Sequence, residues 1–271
     1  MNITVYLGSR SGNRSCYADY AYALGAWIAR HGHTLVYGGS RTGLMGKLAD
    51  GALQAGGQVI GVEPQFFMDE ELQHEGLTKL IVTPDMTSRK QQMMDLGDIF
   101  LAFPGGIGTL EEISQVMSQV KLHQMEGRFA FLDFDGYYQP MKALIQQMSD
   151  EGFVDEDWAD AVPFLPSFAA LTAFVLGRDL PRPGETWRHF KNHMYRILDL
   201  ADDAETGETY VVYKTLYGEY RDFIRPLDMF LSEVDHDKYP DVRQKWRFEK
   251  NGGTLLVEPR HFQSISEEMS L

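Results

Sequence analysis

The chain of 271 residues has a single cysteine, Cys16. One thiol cannot build an internal disulfide framework, and no Cys/His spacing of the kind that holds zinc accompanies it. Cys16 is expected to be a small packed residue rather than a nucleophile, since no base stands near it in sequence. No apolar run approaches the roughly 20 residues that a membrane-spanning helix needs, so no membrane partner is expected. The N-terminus, Met1-Asn-Ile-Thr-Val-Tyr-Leu-Gly8, reads as a strand and lacks the basic segment and cleavage site of a secretory leader, which points to a cytoplasmic protein. Positive charge is scarce: 25 lysines and arginines face 39 aspartates and glutamates, for a formal net charge of −14. Such a chain offers no field for a phosphate backbone, and a nucleic-acid partner is not expected. The Gly-Lys-Ser/Thr of a P-loop and the Gly-x-Gly-x-x-Gly of a dinucleotide site are both missing.

What is present is a rhythm. Short β-branched runs at Ile3–Leu7, Thr34–Tyr37, Gln58–Val62, Leu80–Val82, Ile99–Phe103 and Phe129–Asp133 alternate with helical patterns at Tyr17–Arg30, Leu44–Ala55, Ser88–Leu96, Thr109–Leu122 and Tyr137–Ser149. Strands that are apolar almost throughout, separated by helices, predict an α/β domain with a parallel sheet covered on both faces. In the first helix Tyr20, Ala23, Leu24, Trp27 and Ile28 share one face. Arg178–Glu185, with two prolines and a glycine, reads as a linker. Beyond it Tyr195–Leu198, Thr209–Lys214, Phe223–Arg225 and Thr254–Val257 predict short strands, with a polar turn at Asp203–Glu208. The expected organisation is therefore an α/β domain over residues 1–180 and a small, mainly β domain over 187–271.

Three loops follow strands of the parallel pattern: Gly8-Ser9-Arg10-Ser11-Gly12, Gly38-Gly39-Ser40-Arg41-Thr42-Gly43-Leu44-Met45-Gly46, and Pro104-Gly105-Gly106-Ile107-Gly108-Thr109-Leu110-Glu111-Glu112. Open parallel sheets bind ligands at the carboxyl ends of their strands, where helix N-termini supply N–H donors and a positive dipole end. An anion site is expected there. Glu112 has two readings: the partner of an N-capping Thr109 in a capping box, or a carboxylate one turn inside the anion site, placed to stabilise an oxocarbenium-like state or an attacking water. Glu111 points about 100° away around the helix, free to be solvated or paired. Arg89 and Lys90 sit in the first turn of their helix, where positive charge opposes the dipole. Arg89 offers a planar fork for a phosphate or carboxylate, although the pair also suits a solvated face. Met93 is a core filler or a wall of a base pocket. His31, His33 and His123 lie at helix ends, where capping explains them.

These residues together carry a resemblance. Arg89-Lys90, Met93, Asp98 and Pro104-Gly-Gly-Ile-Gly-Thr-Leu-Glu-Glu112, with Val36–Gly46, Gly56-Gly-Gln-Val-Ile-Gly-Val62 and Asp135-Gly-Tyr-Tyr138, resemble the LOG family of cytokinin riboside 5′-monophosphate phosphoribohydrolases over about residues 2–177. The resemblance implies a Rossmann-like sheet, a homodimer or higher homo-oligomer, and hydrolysis of a nucleoside 5′-monophosphate, of purine or cytokinin type, to free base and ribose 5-phosphate. It implies no metal and no organic cofactor. By the same resemblance Gly105, Gly106, Gly108 and Thr109 hold the phosphate, helped by Ser9 and by Gly39, Thr42 and Gly43. Lys90 and Met93 join the substrate site, and Arg89 and Glu112 are catalytic. The chain departs from the family pattern at Gln119-Val-Lys-Leu-His123, Gly127-Arg128, Asp133 and Ser40, which bears on base preference and the interface more than on the chemistry. His189-Phe-Lys-Asn192, Glu205–Glu208, Val211–Tyr213, Leu216–Glu219 and Arg225–Phe230 resemble a small bacterial domain family of unknown function over about residues 187–250. There His189, Lys191, Tyr213, Tyr217, Glu219 and Arg225 form either a polar-aromatic pocket or a β-core with solvated charges. The alternative to an enzyme is a non-catalytic nucleotide or cofactor carrier on the same scaffold. A third reading gives the tail the main role, recruiting a partner.

Overall fold

The computed structural model describes residues 1–68, 72–204 and 206–251. Contacts divide the chain into two compact units, Met1–Leu171 and Thr172–Leu271. The elements of the first are β1 (Asn2–Tyr6), α1 (Cys16–Arg30), β2 (Thr34–Tyr37), α2 (Gly43–Gln54), β3 (Gln58–Pro64), α3 (Gln65–Met68), β4 (Lys79–Thr83), α4 (Met86–Leu96), β5 (Ile99–Ala102), α5 (Ile107–Lys121) and β6 (Arg128–Leu132). A 3-10 turn at Phe134–Gly136 leads to α6 (Gln139–Asp150), α7 (Glu156–Ala161), β7 (Phe164–Leu165) and α8 (Phe168–Leu176), which runs across the division.

Seven parallel strands form one sheet in the order β4-β3-β2-β1-β5-β6-β7. The chain builds outward from β1 in one direction, then returns to β1's other side at β5. With right-handed crossovers this reversal puts helices on both faces, the doubly wound Rossmann-like arrangement. The core lies where the strands are apolar on both faces: Ile3, Val5, Leu35, Val36, Phe100, Leu101 and Phe131 have no more than traces of exposed surface. The reversal also creates a crevice, because the loops leaving β1 and β5 turn to opposite faces of the sheet.

Most expected elements appear with ends shifted by one or two residues, where helices fray and strands lose pairing. In α1 only Leu24 and Ile28 of the expected face are buried, while Tyr20, Ala23 and Trp27 are half-buried. The buried set turns toward Tyr17, Ala21, Gly25 and Ala26, with Gly25 lying against Leu48 and Ala52 of α2. The short α3, α7 and β7 carry too few residues for any periodicity, and α8 (Phe-Ala-Ala-Leu-Thr-Ala-Phe-Val-Leu) is apolar nearly all round.

The second unit is a five-stranded antiparallel sheet, β11-β10-β9-β8-β12, built from β8 (Thr186–His189), β9 (Met194–Asp202), β10 (Thr209–Thr215), β11 (Asp222–Pro226) and β12 (Phe248–Lys250), with α9 at Leu227–Leu231. Strand β10 alternates buried and half-buried side chains, the signature of a strand with one face in a core. That core is aromatic, with Phe230 and Phe248 stacked 4.0 Å apart and Trp187 edge-on to Phe230. The expected polar turn holds: the Asp203 N–H donates to the Glu208 carbonyl. β9 is longer than expected, and β8, α9 and β12 were not foreseen. The strand expected at Thr254–Val257 and residue Glu205 lie outside the described residues.

Candidate active site

The crevice between β1 and β5 is closed at its floor by the two loops touching each other: the Gly8 N–H donates to the Pro104 carbonyl at 3.2 Å. This contact is possible because Gly105 has no side chain. A Cβ there would stand 2.1 Å from Thr109 Oγ1 and 2.8 Å from the Gly8 nitrogen. Two tyrosines hold the same loop from behind. Tyr137 Oη donates to the Gly105 carbonyl (2.5 Å) and Tyr138 Oη to the Phe103 carbonyl (2.8 Å). Asp133 anchors that tyrosine pair by accepting from the Tyr138 N–H at 2.6 Å and from the Gln139 side chain.

Helix α5 begins at Ile107 with Gly106 as its N-cap, so the expectation of Thr109 as N-cap is corrected. Gly106 supplies no capping side chain, and exposed Ile107 forms the first turn with Gly108 and Thr109. The capping-box reading of Glu112 falls with it, because Glu112 lies on the second turn. The first-turn N–H groups have no partner within the helix and face the crevice end of the dipole.

Arg89 reaches the site from α4. The Asp85 carboxylate caps that helix by accepting from the Ser88 N–H at 2.8 Å, which offsets positive charge in the first turn. The Arg89 side chain is 7% exposed. Its Nε donates to the Val62 carbonyl at 2.9 Å, and its Nη1 donates to Glu112 Oε1 at 2.7 Å. Gly38 makes room for it, since a Cβ at that position would lie 2.4 Å from Nη2. Glu112 is 10% exposed. Burial pushes its carboxyl above the ordinary glutamate value, and the Arg89 guanidinium pulls it back. The buried Tyr6 hydroxyl is pushed up as well, first by burial and then by the Glu112 charge.

Above this pair opens a cavity of about 570 Å³. Of the residues expected in the site, Ser9, Arg89, Gly105, Gly106, Gly108, Thr109 and Glu112 line it. Five do not, and each has a physical reason. Met93 is 1% exposed and packs in the core under the sheet, one turn below Arg89. Lys90 points away from the cavity and pairs with Glu111. Thr42 is used within its own loop: its N–H donates to Ser40 Oγ (3.2 Å) and its hydroxyl meets the same atom at 2.9 Å. Gly39 lies against Glu63, and Gly43 supports the β1 loop from behind, where a Cβ would meet the Ser9 carbonyl at 2.2 Å. Residues not foreseen complete the wall: Tyr17, Met45, Phe67, Met86 and Tyr137. Their mixed aromatic and sulfur character suits the flat face of a base. Of these, Met45 lay in the second glycine-rich loop and Tyr137 in the Tyr-Tyr motif, while Tyr17, Phe67 and Met86 carried no signal of their own. Cys16 stands at the edge of this region with its Sγ 3.6 Å from Asp135 Oδ2, which also pairs with Arg14. Among the described residues no three His, Cys, Asp or Glu side chains are grouped to hold a metal ion, and no helix is long and apolar enough to cross a membrane.

In the tail, four residues of the expected cluster, His189, Tyr213, Tyr217 and Arg225, gather around Tyr195 and Phe248. Arg225 Nε donates to Tyr213 Oη at 3.2 Å, Tyr195 and Tyr217 join hydroxyls at 2.8 Å, His189 lies edge-on to Phe248, and Lys191 stands over Tyr239.

Comparison with known proteins agrees with this geometry. Residues 45–173 match the family model described as "Possible lysine decarboxylase", and residues 185–250 match "Protein of unknown function (DUF1653)". A cytokinin riboside 5′-monophosphate phosphoribohydrolase of Rhodococcoides fascians is 42% identical over 154 residues, covering 56% of this chain and 78% of that protein. The Arabidopsis thaliana enzyme LOG5 of the same name is 38% identical over 152 residues, covering 56% and 67%. Among solved structures, the molybdenum cofactor carrier protein of Chlamydomonas reinhardtii superposes with a TM-score of 0.51 at 23% identity over 64% of this chain and 94% of that one, a likeness of fold alone. With its parallel sheet, its paired Arg89 and Glu112 and relatives matched over most of their length, this chain belongs to the LOG family, that of the cytokinin riboside 5′-monophosphate phosphoribohydrolases.

Proposed function

We propose that the chain hydrolyses the N-glycosidic bond of a nucleoside 5′-monophosphate, releasing free base and ribose 5-phosphate, with Arg89 and Glu112 as its catalytic pair. The observation that carries this reading is a nearly buried arginine–glutamate ion pair set one helical turn inside an N-terminal anion site at the switch point of a parallel sheet. The 5′-phosphate binds the first turn of α5 through backbone N–H groups of Gly106, Gly108 and Thr109, with Ser9 opposite. The ribose then lies over Glu112. As the C1′–N bond lengthens, positive charge develops on C1′ and the ring oxygen, and the Glu112 carboxylate stabilises it electrostatically. The same carboxylate accepts a proton from the attacking water, whose oxygen bonds to C1′, while the departing base nitrogen ends protonated. Arg89 keeps Glu112 ionised in spite of its burial and fixes the orientation of the carboxylate. Tyr17, Met45, Phe67 and Met86 offer the base an apolar wall, which favours purines, including those with an apolar N6 substituent of cytokinin type.

A homodimer or higher homo-oligomer goes with this reading, supported by Leu122, Leu144 and Phe153, which expose 60%, 46% and 82% of their surface. The cytoplasm, where nucleoside monophosphates are made, is its place of action. The test is to incubate the purified chain with AMP, GMP, CMP, UMP and isopentenyladenosine monophosphate and follow free base by chromatography. Release that requires the 5′-phosphate and vanishes in Glu112→Gln supports the enzyme. Binding without release from any of them sinks it in favour of a carrier.

A further inference from the structure

Glu63, next to last on β3, is a fully buried side chain, and among the described residues neither of its carboxylate oxygens has a hydrogen-bond partner. An ionised carboxylate so placed costs several kcal/mol, so a stability argument alone favours an apolar residue here. Its neighbours explain its presence. The preceding residue, Val62, receives the Arg89 Nε. A Cβ at Gly39 would lie 3.3 Å from Glu63 Oε2, and one at the adjacent Gly38 would run into Arg89 Nη2. Glu63 therefore lies in the field of the guanidinium that Glu112 bonds, with no ion pair of its own to it among the described residues. The groups acting on Glu63 are Arg89 from α4, which favours its charged form, and burial, which opposes that form more strongly and pushes the carboxyl up. Tyr37 on β2 also faces it. That hydroxyl is pushed up by burial, by Glu63 and by Asp50 of α2.

One arginine can neutralise one of two buried carboxylates. The two carboxyls compete for that one counter-charge. Glu112 accepts directly from Arg89 and takes the charge, while Glu63, with no donor, keeps the proton. We propose that Glu63 is a positioning residue of the site: as the neutral member of a Glu63–Arg89–Glu112 triad it leaves the guanidinium charge to Glu112, and its ionisation draws Arg89 away from its partner. The proposal rests on the phosphoribohydrolase reading of the site. When Glu63 releases its proton to solvent at rising pH, Arg89 is divided between two carboxylates, Glu112 loses counter-charge, and turnover falls on the alkaline side. The folded state holds this proton more tightly than the unfolded chain. Stability therefore declines as pH rises from the unfolded glutamate value through the raised folded one.

The experiment compares the natural chain with Glu63→Gln and Glu63→Met, reading Tm without ligand and kcat/KM for AMP between pH 5 and 9. The natural chain is expected to lose kcat/KM by about tenfold per pH unit along its alkaline limb and to lose Tm over the same range. Both variants are expected to flatten the two curves. Variants that keep the natural alkaline limb overturn the proposal, whatever their Tm, because Glu63 is then structural only. Variants that keep the natural slope of Tm overturn it as well, because Glu63 is then not the group holding the proton. If the natural chain binds AMP but cleaves nothing, the enzyme reading fails by itself. AMP affinity then takes the place of kcat/KM, and the same outcomes apply.

Discussion

The two units of this chain use similar side chains to different ends. Each gathers tyrosines, an arginine and a histidine or carboxylate around aromatic rings. In the tail these groups bond chiefly to one another: Arg225 to Tyr213, Tyr195 to Tyr217, His193 stacked on Tyr217. In the large unit Arg89 and Glu112 are buried as deeply as core residues, yet they form one wall of an open cavity. The difference teaches what marks a site. Polar and aromatic residues in company are ordinary. Buried charge held at the mouth of a cavity, at the ends of parallel strands, costs stability and is retained where chemistry needs it.

The sharpest way to break this comparison is to remove the charge. Glu112→Gln is expected to lower base release by about a hundredfold to a thousandfold, the scale of losing one electrostatic stabiliser of a transition state, with a modest loss of Tm, because the amide oxygen still accepts from Arg89 Nη1 while its counter-charge is gone. Arg89→Ala should abolish release to a similar degree and also unfold more easily, by about 3–5 kcal/mol, because it strands a buried carboxylate. Steady-state kinetics and urea unfolding separate the two. A Glu112→Gln chain with natural turnover would reduce the pair to a structural contact like those of the tail.

Much of this contrast was legible in the sequence, for reasons that differ by element. β1, β2 and β5 are buried on both faces, so their apolar runs stood out, and the glycine loops after them marked the crevice. Glu112 was found because it closes such a loop, and Arg89 because a positive charge in a helix's first turn opposes the dipole and because it falls in the family motif. What failed was the phase of the helices. Met93 follows Arg89 by four residues and shares its inward face, but that face meets the core below the cavity, not the cavity itself. Lys90, one residue on, turns toward Glu111. Thr109 looked like a cap because Ile107 is apolar and Gly106 silent, whereas the helix starts on backbone alone. Glu63 gave no signal at all, since a strand end tolerates a charged residue in solvent and nothing local says that this one is covered. The aromatic wall is assembled from α1, α2, α3 and α4 and the turn before α6, and no spacing within one element could announce it.

A smaller effect sharpens the comparison at the phosphate. In Gly105→Ala the new methyl would meet Thr109 Oγ1 and the Gly8 nitrogen, pushing the two loops apart. The Kd of ribose 5-phosphate, by calorimetry, is expected to rise by roughly tenfold or more, about 1.4 kcal/mol. A nucleoside without the phosphate should lose little. Equal losses for both would place the phosphate elsewhere. The acid side of the pH profile tests Glu112 itself. Burial raises its carboxyl, so kcat/KM should fall as pH drops through a value above the ordinary glutamate one. An acid limb at the ordinary value would mean that Glu112 is solvated during turnover.

The smallest effect belongs to the tail and should leave base release untouched. His189 is held down to about 4, first by burial and then by Arg225, Arg247, Lys191 and His193. His33 in the large unit is also held at about 4, by burial, the N-terminal amine and His31. Both stay neutral in the folded chain and take a proton on unfolding near the ordinary histidine value of about 6.5. Each therefore contributes stability that is complete above that value and is lost as pH falls from it toward 4. Urea unfolding at pH 7 and pH 5 should show a lower midpoint at pH 5. His189→Asn should remove the part of the drop reported by variants whose only tryptophans are Trp187 and Trp246, and His33→Asn the part reported by Trp27 and Trp158. If His189→Asn instead altered the pH profile of base release, the tail would have to act on the active site, and the division between a chemical unit and a self-satisfied one would no longer hold.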